Sequence, residues 1–224
     1  IKQLWTEIEM KYFWGTIALA TGGILLNHYL QFSFNWAELE QTVRHTLFQV
    51  VSILTTTGYG TKSISAPFFP ALAKQLFILL MLVGGCVGST AGGIKLIRVA
   101  ILNKLMKREV RKIYYPKRAV LPVVVDGKVI PDKEIFRMVA IVVSWVGLII
   151  VGGGITALFS DLPAWNAFSG MFSAVGNIGP FYFSVAKMQS LSGIIKFTYI
   201  LGMLAGRLEI LPIFIIFSKR AWRG

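Results

Sequence analysis

Apolar residues gather in four long runs, at about 13–30, 69–101, 136–159 and 191–218, with most polar residues between them. At 1.5 Å per helical residue, each run reaches across roughly 30 Å of hydrocarbon, which predicts membrane-spanning helices. Residues 35–57 differ: Glu38 and Glu40 come early, and Phe48, Val50, Val51, Ile53 and Leu54 come late. Such a stretch is too polar at its start to span and too apolar at its end to be a surface loop. It predicts a short helix capped by Ser33 or Asn35, with its acids at the positive end of the dipole, leading into Thr55-Thr56-Thr57-Gly58-Tyr59-Gly60-Thr61. The second half repeats the plan. A span is followed by Asp161-Leu162-Pro163 as a helix start, an apolar helix through Ala174, then Gly176-Asn177-Ile178-Gly179-Pro180 and a final span. Gly58 and Gly179 are 121 positions apart, so the chain is an internal repeat of span, half-helix, glycine loop and span.

Irregular backbone at membrane depth survives only where it is buried in protein or lines a watery cavity, because an unpaired amide in lipid costs several kcal/mol. Glycine loops behind half-helices therefore predict a pore. Gly58 and Gly60 permit positive φ, letting carbonyls turn into a lumen, and threonine hydroxyls add oxygen ligands. The negative end of the half-helix favours a cation there. Thr56 to Gly60 is similar to the Thr-Val-Gly-Tyr-Gly filter of potassium channels, differing at one position. A plain turn between helices is the competing reading, stronger for Asn177 to Pro180 than for the first loop.

Charge then orients the chain. The formal charge is +13, and residues 95–137 hold twelve Lys and Arg against four acids. Lys219, Arg220 and Arg223 bring the share of these two segments to +11. Basic segments beside spans are held on the cytoplasmic side, so 104–134 and the C-terminus read as cytoplasmic, separated by two crossings. A pI near 10 thus calls for no nucleic acid. With 55% hydrophobic residues and a single cysteine, Cys86, disorder and a disulfide scaffold are excluded. The chain starts at Ile1 with no signal peptide ahead of its first span, which reads as a piece of something longer.

Two features interrupt the spans. Gly84-Gly85-Cys86-Val87-Gly88-Ser89-Thr90-Ala91-Gly92-Gly93 carries five glycines, each costing a helix about 1 kcal/mol relative to alanine, so the second span is expected to break there. No phosphate-binding loop is formed, since Lys95 follows Ile94 and the required spacing is absent. Close helix packing through small residues is the alternative reading. Arg207, deep in the last run, costs at least about 2.5–3.5 kcal/mol to insert, which points to a function. Glu209 lies about 200° round the helix, so Arg207 is expected to face the pore and donate to carbonyls of 84–93; a bridge from Arg or Glu209 to neighbouring spans stays open.

These motifs together closely resemble the C-terminal half of the Trk/Ktr/HKT superfamily of potassium transporters, the bacterial Trk-type membrane subunit in particular. The resemblance rests on TTTGYGT at 55–61, GGCVGSTAGGIKLIR at 84–98, AVLPVVVDGKVIPDKE at 119–134, NIGP at 177–180 and GMLAGRLEILPI at 202–213, and covers essentially the whole chain. It implies an all-α integral membrane protein of two membrane-pore-membrane units of a pseudo-fourfold cation pore, with a small cytoplasmic hairpin in the linker. The third-type unit would span 1–112, the basic linker 113–134 and the fourth-type unit 135–224. Ion-binding filter residues would be Thr56, Thr57, Gly58, Tyr59, Asn177, Ile178 and Gly179. The gate would comprise Gly84, Gly85, Gly88, Ser89, Thr90, Gly92, Gly93 and Arg207. Phe181 stands where many relatives have a glycine, leaving the width of that quarter of the filter open. The resemblance also implies potassium as substrate, a missing N-terminal half, a homodimer in the bacterial inner membrane, and a cytoplasmic nucleotide-binding regulatory ring as the carrier of any nucleotide.

The remaining chemistry is sparse. His28 and His45 read as packing or interfacial residues with no metal-ligand spacing around them, and Trp36, Trp165 and Trp222 suit the membrane interface. Asp126-Gly127 predicts a type I′ hairpin, either simple loop closure or a contact for the ring. Besides potassium uptake, three readings stay open: a weakly selective gated monovalent-cation channel, a non-conducting structural module, and an intramembrane enzyme using Ser89, against which the lack of a His-Asp constellation weighs.

Overall fold

The computed structural model describes residues 6–31, 36–116, 119–208 and 210. The expected cap at Ser33 or Asn35, Glu209, Trp222 and the basic residues Lys219, Arg220 and Arg223 lie outside the described residues, as does the side chain of Trp36. The first half comprises α1 (Ile8–Gln31), α2 (Trp36–Leu54) and α3 (Ala71–Leu82), followed by β1 (Val83–Gly84), β2 (Ile94–Lys95) and α4 (Leu96–Tyr114). A hairpin of β3 (Val123–Val125) and β4 (Lys128–Ile130) leads to α5 (Asp132–Leu158), α6 (Ala164–Gly176), α7 (Val185–Ser190) and α8 (Gly193–Arg207). Among the described residues the structure is mainly helical, with two small two-stranded pairings.

Each half is a triad of outer, short and inner helix. In the first, α1, α2 and α3 pack on one another; in the second, α5, α6 and α8 do so, and α3 also packs on α6. Their cores are continuous apolar clusters. Ile24, Ile53, Leu54, Phe69 and Phe77 fill the first, and Trp145, Ile149, Met171, Ile195 and Tyr199 the second. The halves are stitched together by Ile178 and Tyr182, which join the first cluster, and by the Tyr182 hydroxyl donating to the Lys74 carbonyl at 2.5 Å.

Among the described residues, α5 alone is long and apolar enough to cross a membrane by length and composition, with a mean hydropathy of 2.4. The other three runs fall short of this measure for visible reasons. The 69–101 run is divided between α3 and α4 by the glycine segment, the first run forms an unbroken α1 whose hydropathy is diluted by Gly15, Gly22, Gly23, Asn27 and His28, and the last is described only in part.

Helix α4 runs on to Tyr114 and α5 starts at Asp132, so the connection between the two helices is carried by 115–131. Its hairpin pairs Val123 with Ile130 and Val125 with Lys128, and the turn residues Asp126 and Gly127 have φ of 45° and 78°. Positive φ at both positions is what a type I′ turn requires. Val123 and Val125 bury against Ile101 and Ile135, fixing the hairpin to the first half of α4 and the start of α5.

Candidate functional site

Both glycine loops arise where a short helix is forced to stop. At the end of α2 the Thr55 amide still bonds to the Val51 carbonyl at 2.9 Å, and Thr56 to Ile53 at 3.0 Å. Thr56 then turns left-handed, φ 55°, and the Thr57 amide returns to the Ser52 carbonyl at 2.9 Å. The end of α6 repeats this bond for bond. Asn177 donates to Ala174 at 3.1 Å with φ 53°, and Ile178 donates to the Ser173 carbonyl at 3.1 Å. Adding 121 converts Ser52, Ile53, Thr56, Thr57 and Gly58 into Ser173, Ala174, Asn177, Ile178 and Gly179, so the repeat holds at the level of single hydrogen bonds. The two glycines also have positive φ, 80° and 108°.

The direction of the carbonyls follows from the trans peptide, in which N–H and the preceding C=O point opposite ways. Amides of Thr57 and Ile178 turn back onto the helix end, so the carbonyls of Thr56 and Asn177 turn away from it. The Gly179 amide donates to Ser173 Oγ at 3.1 Å, which turns the Ile178 carbonyl outward as well. Tyr59 behaves differently, its carbonyl accepting from Ser52 Oγ at 2.5 Å, on the helix side of the loop. The loops touch: a Cβ on Gly58 would lie 2.0 Å from the Ile178 carbonyl oxygen.

The glycine segment 84–93 closes against the ends of both short helices. The Gly85 amide donates to the Leu54 carbonyl at 3.0 Å, capping α2 at its negative end. A Cβ at Gly92 would lie 2.5 Å from the Gly176 carbonyl oxygen and 3.0 Å from Asn177 Nδ2, so the segment also presses on the end of α6. Its two arms are held parallel by the pairing of Val83 with Ile94 and Gly84 with Lys95. There the Gly84 α-carbon faces the Gly92 carbonyl so closely that a Cβ would sit 1.5 Å from the oxygen.

Two cations grip this segment. Lys95 is only 7% exposed, and its ammonium donates to the Ala91 carbonyl at 2.6 Å, the Ser89 carbonyl at 3.1 Å and Ser89 Oγ at 3.3 Å. Arg207 Nη1, from the last turn of α8, donates to the Thr90 carbonyl. Glu9 of α1 accepts from the Val87 amide at 2.8 Å and the Ile97 amide at 3.3 Å. Asn177 ties the second loop to α8 through Nδ2 to the Met203 carbonyl at 3.0 Å. Thus the residues named from sequence form one contiguous region: 56–58 beside 178, 84–93 under both helix ends, and Arg207 on Thr90. Tyr59 is at its edge, its side chain 73% exposed.

Further residues take part. Lys95 opens the basic block of 95–137 in sequence, but burial among three oxygens sets it apart from the exposed charges. Ser52 and Ser173 are buried and matched by the repeat offset, a signal present in the sequence. Gln49 is fully buried, with its Oε1 3.1 Å from where a Gly60 Cβ would lie. His45 Nδ1 lies 2.8 Å from Thr61 Oγ1, and His28 packs on Phe68 with ring centroids 5.4 Å apart. Among the described residues there is no group of three potential metal ligands.

Residues 16–223 match the family described as cation transport protein, TrkH. The Trk system potassium uptake protein TrkH of Escherichia coli strain K12 is 29% identical over 224 residues, covering 100% of this chain and 45% of that protein. A cation transporter of Methanocaldococcus jannaschii is 35% identical over 179 residues, covering 77% of this chain and 35% of its own length. The crystal structure of the potassium transporter TrkH from Vibrio parahaemolyticus superposes with a TM-score of 0.86 at 26% identity, over 99% of this chain and 46% of that one. The chain spans about half the length of the curated relatives it matches.

Proposed function

Because the chain belongs to the TrkH family of cation transport proteins, we propose that it forms half of a potassium-uptake pore. The family is one of membrane transporters, not enzymes. In this reading the chain supplies two membrane-pore-membrane units, the third and fourth of a pseudo-fourfold path. An N-terminal half of the same subunit supplies the other two. Dehydrated potassium is held by outward carbonyls of Thr56, Thr57, Asn177 and Ile178. Thr57 Oγ1, Gly58, Tyr59 and Gly179 complete the filter edge. The segment containing Gly84, Gly85, Gly88, Ser89, Thr90, Gly92 and Gly93 is the gate, and Arg207 latches it while opposing cations electrostatically.

The observation that carries this reading is the repetition of the two backbone cap bonds onto Ser52 and Ile53 at Ser173 and Ala174, together with the mutual contact of the loops at Gly58 and Ile178. Each cap by itself is a common helix ending, so it is their recurrence at one offset and the contact between the two loops that support a pore over a structural module. The subunit would lie in the bacterial inner membrane, its hairpin and basic linker cytoplasmic, as a homodimer whose hairpin side meets a nucleotide-binding ring. Phe181, at the place of Gly60 in the repeat, favours a second reading, a weakly selective monovalent-cation channel. The test is rubidium uptake by the full-length subunit, with reversal potentials in mixed sodium and potassium. A reversal potential that follows the potassium gradient and ignores sodium supports selective uptake, one that responds to sodium and potassium alike supports the channel reading, and no flux sinks both.

A further inference from the structure

A cavity of about 430 Å³ opens at the far end of α4, away from the glycine segment, between that helix, the start of α1 and the 121–124 strand approach. Lys104, Lys107, Arg108 and Arg111 line it. Their spacing, i, i+3, i+4 and i+7, puts all four cations on one face of the helix. Like charges at that spacing oppose each other, and an anion between them reverses the sign of the interaction.

Local acids do not meet this demand. Asp132 and Glu109 are both taken by Arg108, at 2.7 Å to Nη1 and 3.0 Å to Nε. Glu109 is shared with Lys112 at 2.9 Å, and that bond holds its carboxyl below the ordinary range. Lys104 donates to the Val124 carbonyl. Among the described residues, Lys107 and Arg111 make no ion pair. Tyr12, also in the wall, accepts from Asn103 Nδ2 at 2.8 Å, which leaves its own hydroxyl proton to donate. The Arg108–Asp132 pair fixes the level of the cavity, since Asp132 is the first residue of the membrane-spanning α5. Four basic side chains and a phenol at the end of a span describe the headgroup layer.

We propose that this cavity binds the phosphate of an anionic lipid headgroup in the cytoplasmic leaflet, with Lys107 and Arg111 as its principal charge partners. The proposal rests on the topology given under the proposed function. Phosphate offers oxygens to several donors at once, matching a guanidinium beside an ammonium and a phenol.

The test uses the full-length subunit in phosphatidylcholine nanodiscs titrated with labelled phosphatidylglycerol, compared with Lys107→Gln/Arg111→Gln and with Lys128→Gln on the exposed hairpin as control. The wild type and the control are expected to retain phosphatidylglycerol over phosphatidylcholine, and the double variant to lose roughly tenfold or more of that preference, the scale set by two basic residues at an anionic surface. Equal loss in the hairpin control, or no loss in the double variant, overturns the proposal. Displacement of the labelled lipid by inorganic phosphate at millimolar concentration assigns the cavity to a soluble anion and overturns the lipid. Unchanged lipid retention with release of a cytoplasmic subunit makes it a protein contact. Rubidium uptake by the same preparations reports separately on the transport reading, which stands or falls without moving lipid retention.

Discussion

The α-carbon of Gly58 faces the carbonyl oxygen of Ile178 so closely that a Cβ would stand 2.0 Å away. This contact joins the two repeat loops one position out of register, two residues past the left-handed Thr56 on one side and one residue past the left-handed Asn177 on the other. Gly58 also carries φ of 80°, a conformation costing a non-glycine residue roughly 1–2 kcal/mol. Gly58→Ala therefore combines a backbone penalty with a clash that only movement of Ile178 relieves. Uptake of rubidium is expected to fall at least about tenfold, the effect of about 1.4 kcal/mol on a barrier. Gly179→Ala shares the conformational penalty but meets nothing within 4 Å, so its loss should be smaller. Equal losses in the two variants would remove the loop contact as the cause.

The gate segment offers a second test at Lys95. Its ammonium satisfies two carbonyls and one hydroxyl in a nearly closed site, and hydrogen bonds to charged groups are worth about 1.5–3 kcal/mol. Lys95→Met keeps the aliphatic volume and leaves those oxygens without their donor. The expected outcome is a thermal midpoint several degrees lower and a raised basal flux, because the segment loses one of its two cationic anchors. Unaltered basal flux in folded protein would place Lys95 in stability alone. Ser89→Ala removes the longest of the three Lys95 contacts and the bond from Ser89 Oγ to the Cys86 carbonyl at 2.6 Å, and should leave transport measurable with a looser segment; abolished transport in well-folded protein would revive a chemical role for that hydroxyl.

Asn177 has two jobs that substitutions separate. Its backbone is left-handed, which asparagine tolerates better than most residues, and its side chain reaches the Met203 carbonyl at 3.0 Å. Asn177→Gly keeps the backbone and removes the reach to α8; Asn177→Ala removes both. If the side chain sets the angle between loop and α8, both variants should change the potassium-to-sodium ratio. Should Asn177→Gly retain normal selectivity while Asn177→Ala loses it, the backbone conformation alone matters.

Periodicity made the helices and the 121-residue repeat visible because each unit encodes the same alternation of apolar run, half-helix and glycines. It also pointed to the residues of the loops, since positive φ and close approach restrict the amino acids allowed at Gly58 and Gly92. Packing partners were less visible. Lys95 belongs by sequence to a basic block, and only the fold of 84–93 around it removes it from water. Ser52 and Ser173 look like ordinary helix residues until their bonds to the loops are seen, although the common offset marks both. Sequence groups the carbonyl of Tyr59 with its neighbours, but its orientation depends on the Ser52 hydroxyl, which composition and spacing do not encode.

Arg207 supplies the most direct test of gating. Its Nη1 donates to the Thr90 carbonyl from the last turn of α8, and α8 reaches the second loop through the Met203–Asn177 bond, so one helix touches both gate and filter. Arg207→Ala removes the latch and the positive charge; Arg207→Gln removes the charge but retains hydrogen-bond donors. If electrostatic opposition to cations dominates, both variants should raise rubidium flux by comparable factors. If the latch dominates, Arg207→Ala should exceed Arg207→Gln, because a neutral amide still reaches a carbonyl at roughly half the strength of a charged donor. Flux measured at several ionic strengths separates these cases, since screening weakens the charge effect in an aqueous vestibule and leaves a hydrogen bond largely untouched. Unchanged or lower flux in well-folded Arg207→Ala protein would count against any gating role for this arginine.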